Sequence, residues 1–240
     1  MELDHPGTRD AAREETITAD RRRFLRAAGL GGLALALPGV LAACGKEIAA
    51  PAAVKLVANT DIRDAATVTL DFATDVGVLN YAYALEQLEA AFYVQVIASP
   101  FSGMTATETR FLTDIRDHEV VHREFFAAAL GSAKIPNLTP DFSGIDFASR
   151  SSVLRTARAF EDLGVAAYNG AATYLQSKLY LLVASKIVSV EARHASAIRD
   201  LLEPRTSHFA PDAFDNAFSP TKVLAAADPF IVDTIVAINT

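Results

Sequence analysis

Four glutamates stand in the middle of four apolar helical stripes, and this feature limits what the chain can fold into more than any other. Read at i, i+3, i+4 and i+7 spacing, the first stripe is Leu79, Ala82, Tyr83, Glu86, Ala90, Tyr93 and Ile97, and the second is Leu112, Ile115, Glu119, His122, Phe126 and Ala129. The third is Leu154, Ala157, Glu161, Val165, Tyr168 and Ala172, and the fourth is Ala184, Ile187, Glu191, His194, Ile198 and Leu201. A carboxylate buried in such company is costly unless an opposite charge meets it. No Lys or Arg lies on these stripes beside the glutamates.

The stripes repeat in pairs. ALEQLEAAFY (84–93) aligns with AFEDLGVAAY (159–168), placing Glu86 over Glu161 and Tyr93 over Tyr168, while HEVVH (118–122) aligns with VEARH (190–194). Each half therefore reads Glu, then Glu-x-x-His. A Glu and a His at i and i+3 leave one helical face and can hold one ion together. A lone Glu-x-x-His arises readily by chance, whereas two at matching places in a repeat do not. Four ionised glutamates and two neutral histidines sum to a charge that two divalent cations cancel. Mixed carboxylate and imidazole ligands suit Fe or Mn, admit Zn, and suit Ca or Mg less. The competing reading is a metal-free bundle with hydrogen-bonded carboxyls.

Helical patterns run over 72–98, 106–130, 150–174 and 178–203, separated by SPFSG at 99–103 and GSAKIPNLTPDFSG at 131–144. Hairpins turning near Ser102 and Gln176 bring Glu86 level with Glu119 and Glu161 level with Glu191. The second turn is poorly marked, since YLQSK contains neither Gly nor Pro. The gap from Gly131 to Ser149 is long enough to run the length of a bundle. The expected fold is all-α: a four-helix bundle over 71–203 with a long crossover between helices 2 and 3. A C-terminal extension, 204–240, mixes proline-bearing loop with one short helix candidate, TKVLAAADPFIVDTIVAI.

The N-terminal part reads as a processing signal. DRRRFLR (20–26) precedes an almost uncharged run ending in LAAC (41–44), with the basic and apolar regions of an export signal. The arginines resemble a twin-arginine pattern, although Asp20 stands where Ser or Thr is usual. LAAC resembles a lipobox, which implies lipidation of Cys44, the only cysteine of the 240 residues. The expectation is a signal over 1–43, a tether over 44–70, and an exported lipoprotein held at the membrane on the periplasmic or cell-surface side. The first 43 residues carry six acidic and six basic side chains, so the net charge of −7 survives their removal. An acidic surface without basic clusters argues against nucleic acid as a partner. Homo-oligomerisation is left open.

The twin halves joined by a long crossover resemble the ferritin-like superfamily. LNYAYALEQLEAAFY (79–93) resembles in particular exported bacterial ferritin-like domain proteins related to plant desiccation-associated proteins. The resemblance implies that Glu86, Glu119, His122, Glu161, Glu191 and His194 bind two divalent metal ions, Fe or Mn. It makes Glu119 and Glu191 the bridges, with Glu86 and His122 completing one ion and Glu161 and His194 the other. It also implies a function class: a redox enzyme acting on O2 or peroxide, with a non-catalytic stress-protection or scaffold protein as the alternative and iron storage ranked last.

Five further residues take plainer expectations. Glu89 aligns with Gly164 in the repeat and is read as solvent-facing or supporting rather than ligating. Tyr93 and Tyr168 are read first as core tyrosines with satisfied hydroxyls, and otherwise as residues that hydrogen-bond the ligands or carry electrons. His118 precedes Glu119 and is expected to point away from the site, and His208 is placed on the surface.

Overall fold

The protein is described as a computed structural model over residues 65–240. The expected signal, Cys44 and most of the expected tether lie outside the described residues.

Four long helices carry the fold. They are α1 (Asp75–Ala98), α2 (Ala106–Leu130), α3 (Arg150–Ala171) and α4 (Lys178–Leu202). Each begins at a Ser or Thr whose side chain accepts from a backbone N–H of the first turn: Thr74 from Gly77, Thr105 from Glu108, Ser149 from Ser152 and Ser177 from Tyr180. Thr105 and Glu108 form a reciprocal capping box. α1 packs chiefly on α2 and α3 on α4, and the two hairpins close into one bundle. Among the described residues no helix is long and apolar enough to cross a membrane.

The turn between α3 and α4 explains its weak sequence signal. Asp75, at the start of α1, accepts from the backbone N–H of Gln176 at 2.7 Å and of Ser177 at 3.1 Å, and the Gln176 amide donates to the Ala73 carbonyl at 2.7 Å. The turn is shaped by another helix instead of by its own Gly or Pro.

Residues 131–149 do run along the bundle, held by polar side chains of α1. Asn80 donates to the Ala133 carbonyl at 2.9 Å and accepts from Ile135 N–H at 2.8 Å, and Gln87 accepts from Leu138 N–H at 2.8 Å. Farther on, Phe92 meets Phe142 and Phe147 with ring centroids 6.0 and 5.9 Å apart. Covered on this side as well, α1 is buried along nearly its whole length.

Two departures from the sequence reading involve strands. Thr67–Asp71, within the stretch expected as tether except for its last residue, forms strand β1, with Val68 and Leu70 facing inward. It pairs in parallel with β2 (Thr234–Ile238), from Thr67 opposite Thr234 to Asp71 opposite Ile238. The tail therefore does not hold one helix over TKVLAAADPFIVDTIVAI. Helix α5 covers only Pro220–Ala227, a single turn follows at Asp228–Phe230, and β2 comes next. Pro229 lacks the N–H that would continue the α-helical hydrogen-bond ladder, and the β-branched TIVAI suits a pleated strand. Asp233, buried, joins the pieces by accepting from Ala66 N–H at 3.0 Å and Thr139 N–H at 2.7 Å. The tail also crosses α3 closely, because a Cβ on Gly170 would lie 1.8 Å from the Phe218 carbonyl oxygen.

Candidate metal centre

The bundle interior brings all six predicted residues together. Side-chain atoms of Glu86, Glu119, His122 and Glu191 form one group, and those of Glu119, Glu161, Glu191 and His194 form a second, each within 4.8 Å of one another. Glu119 and Glu191 belong to both groups, one from each hairpin. All four glutamates are fully buried, and each hairpin supplies one Glu-x-x-His turn, as the repeat requires.

Their polar atoms lack ordinary partners. Glu86 Oε2, both oxygens of Glu119 and Glu191, Glu161 Oε2 and the Nδ1 atoms of His122 and His194 are buried without a hydrogen bond of acceptable geometry. Yet they crowd together. His194 Nδ1 lies 2.8 Å from Glu119 Oε1, and His122 Nδ1 lies 3.0 Å from Glu191 Oε1. Polar atoms that converge on common points without ordinary hydrogen-bond geometry form a donor set that could hold cations.

The sequence profile of the ferritin-like domain matches residues 74–204, more than half of the chain. The chain belongs to the ferritin-like family. A comparison with curated proteins gives no match.

The electrostatics of this ferritin-like domain follow from burial and crowding. Burial pushes the Glu86 carboxyl well above its ordinary range, against the pull of His122. Glu161 is raised to about 8, chiefly by burial, with His194 opposing and Glu119 adding repulsion. Burial would raise Glu119 too, but His122 and His194 on either side bring it down to about 2. The two imidazoles, which burial alone would depress, are drawn up to about 12 by the surrounding carboxylates. When no cation is bound, protons on the histidines supply the missing positive charge.

The carboxylate oxygens that face away from the centre are held by tyrosines. Tyr168 donates to Glu86 Oε1, and Tyr93 donates to Glu161 Oε1 at 2.5 Å. Each hydroxyl reaches from its own hairpin to the other, so the sequence repeat becomes a pair of matching crossed contacts. Both are buried core tyrosines with satisfied hydroxyls, and the groups that satisfy them are the candidate ligands.

One residue differs from its sequence reading, and another meets only part of it. His118 does not point away: its Nδ1 lies 2.9 Å from His194 Nε2. The signal was available, because His118 stands four residues before His122 and so shares its face. Glu89 does not face solvent. It is buried, belongs to neither group, and its Oε2 has no partner. Its carboxyl sits over Gly164, where a Cβ would lie 3.1 Å from Glu89 Oε1, and burial raises it well above the usual carboxylate range. His208 is exposed, as expected.

Proposed function

We propose that this ferritin-like protein binds two divalent ions, Fe or Mn, with Glu119 and Glu191 bridging, Glu86 and His122 completing one ion and Glu161 and His194 the other. The observation that carries the reading is the convergence of buried, unpartnered oxygen and nitrogen atoms of six residues on two points. Four carboxylates from four helices are otherwise an expensive content for a bundle interior.

Iron or manganese held there supplies one-electron redox chemistry, and we assign the protein an oxidoreductase activity on O2 or peroxide. The chain's own residues prepare the site for it. Apolar neighbours such as Leu112, Leu154, Ile198 and Phe126, all buried, exclude water. Tyr93 and Tyr168 fix the orientation of Glu161 and Glu86 and keep a hydroxyl proton beside each. The export signal and the Cys44 lipobox support a protein tethered to a membrane outside the cytoplasm.

Elemental analysis of the natively exported protein tests the core of this reading. Two equivalents of Fe or Mn per chain are expected, with loss in a Glu119→Ala, Glu191→Ala variant. A metal-free native protein overturns it. Stopped-flow mixing of the reduced, loaded protein with O2 or H2O2 then tests the activity, and an optical spectrum unmoved by either oxidant removes the enzyme class.

A further inference from the structure

The two halves of the centre are not equivalent, and the difference is one residue. His194 turns Nδ1 toward Glu119 Oε1 at 2.8 Å, Glu191 Oε2 at 3.3 Å and Glu161 Oε2 at 3.4 Å, so this nitrogen is the one offered to an ion. Its Nε2 lies 2.9 Å from His118 Nδ1. The two rings are 12° from parallel with centroids 5.2 Å apart, which fits an edge-to-edge approach with the contact near both ring planes. A neutral imidazole has one N–H and one lone pair. With Nδ1 given to an ion, the hydrogen sits on Nε2 and His118 Nδ1 accepts it.

His122 has no such support. Its Nδ1 faces Glu191 Oε1 at 3.0 Å and Glu86 Oε2 and Glu119 Oε2 at 3.5 Å, and among the described residues the structure records no hydrogen bond to its Nε2. The repeat shows where the symmetry breaks. Position 118 aligns with position 190, and Val190 has no nitrogen to offer.

We propose that His118 is a positioning residue for His194, and that through it the ion between Glu161 and His194 is held more tightly than the ion between Glu86 and His122. The inference rests on the dinuclear reading above. The bond fixes both the tautomer and the ring angle that ligation through Nδ1 needs, and outer partners of this kind change metal affinity by roughly 10–100-fold. His118 itself is exposed, so replacing it opens no cavity in the core.

Titration of metal-stripped, full-length protein with Co2+ tests this. Wild type should fill in two resolved steps, and His118→Ala should weaken only the tighter one, by about 10–100-fold. His118→Asn, whose amide oxygen can stand where Nδ1 stood, should recover most of the loss. In Zn2+-loaded protein the His194 Nε2–H should give a slowly exchanging imidazole NMR signal that His118→Ala abolishes. Equal weakening of both steps, no weakening, or an unchanged N–H signal overturns the proposal. Wild type that binds no Co2+ overturns the dinuclear reading with it, whereas two ions bound identically by wild type and His118→Ala overturn only the role of His118.

Discussion

Tyr93 on α1 donates a hydrogen bond of 2.5 Å to Glu161 on α3, and so ties one hairpin of the bundle to a candidate metal ligand on the other. Tyr93→Phe keeps the ring, which packs at 5.1 Å from Phe92, and removes only the donor. Leaving a buried carboxyl without its partner costs about 1–3 kcal/mol. Denaturant unfolding of the stripped protein should show a loss of that order, and Tyr168→Phe should show a similar one through Glu86. Wild-type stability in both variants would mean that these contacts hold nothing in place.

Chelation should lower the melting temperature. Ions that bind the folded arrangement and not the unfolded chain stabilise it by about 2.7 kcal/mol at a free concentration of roughly 100 times Kd. The Glu119→Ala, Glu191→Ala variant, which lacks both shared carboxylates, should melt at nearly the same temperature with and without chelator. An unchanged melting temperature on stripping verified metal-loaded wild type would count against the six-residue site.

The gap between loaded and stripped melting temperatures should widen as pH rises. Glu161 keeps its proton to about pH 8 in the folded protein, against 4.5 ordinarily. Between those values the folded state binds the extra proton, so stripped protein loses stability as pH increases. His122 and His194, raised from 6.5 to about 12, act in the same direction above pH 6.5. Glu119, lowered to about 2, works the opposite way only below pH 4.5. Ions must displace these protons, so binding strengthens over the same range. Melting curves of both forms from pH 5 to pH 8 check the trend, and a constant gap refutes it.

Glu86 and Glu89 are both buried on α1, one turn apart, but only Glu86 joins the groups that could hold an ion. Glu86→Ala should therefore cut metal content far more than Glu89→Ala. Equal losses, measured by elemental analysis of purified variants, would show that Glu89 ligates after all.

Cys44→Ser should release the protein from the membrane fraction into the soluble one. A wild type that is soluble from the outset would remove the lipoprotein reading while leaving the bundle and its centre untouched.

What was legible in the sequence is what repeats locally. The 3.6-residue periodicity located α1 to α4 to within a few residues, and the internal repeat picked out the six side chains that meet. What was hidden depends on distant partners. TVTLD alternates as a strand should, but its partner is 167 residues away and no local signal pairs them. The α3–α4 turn is shaped by Asp75, 101 residues earlier in the chain. Glu89, kept out of the ligand set and standing outside both groups, was only half legible, for an instructive reason. Its pairing with Gly164 suggested a position free to face solvent, whereas the missing side chain at Gly164 is what makes room for a buried carboxyl.

The pairing of β1 with β2 also decides how the domain responds to force. Any pull arriving from the N-terminal side enters along β1, whose hydrogen bonds to β2 lie across the direction of pull and so must shear together instead of peeling one at a time. Asp71, at the end of β1, accepts from the Asn239 amide at 2.7 Å, which locks the far end of the same pair. Residues 234–239 thus act as a mechanical clasp for β1, and trimming them would loosen the grip on that strand.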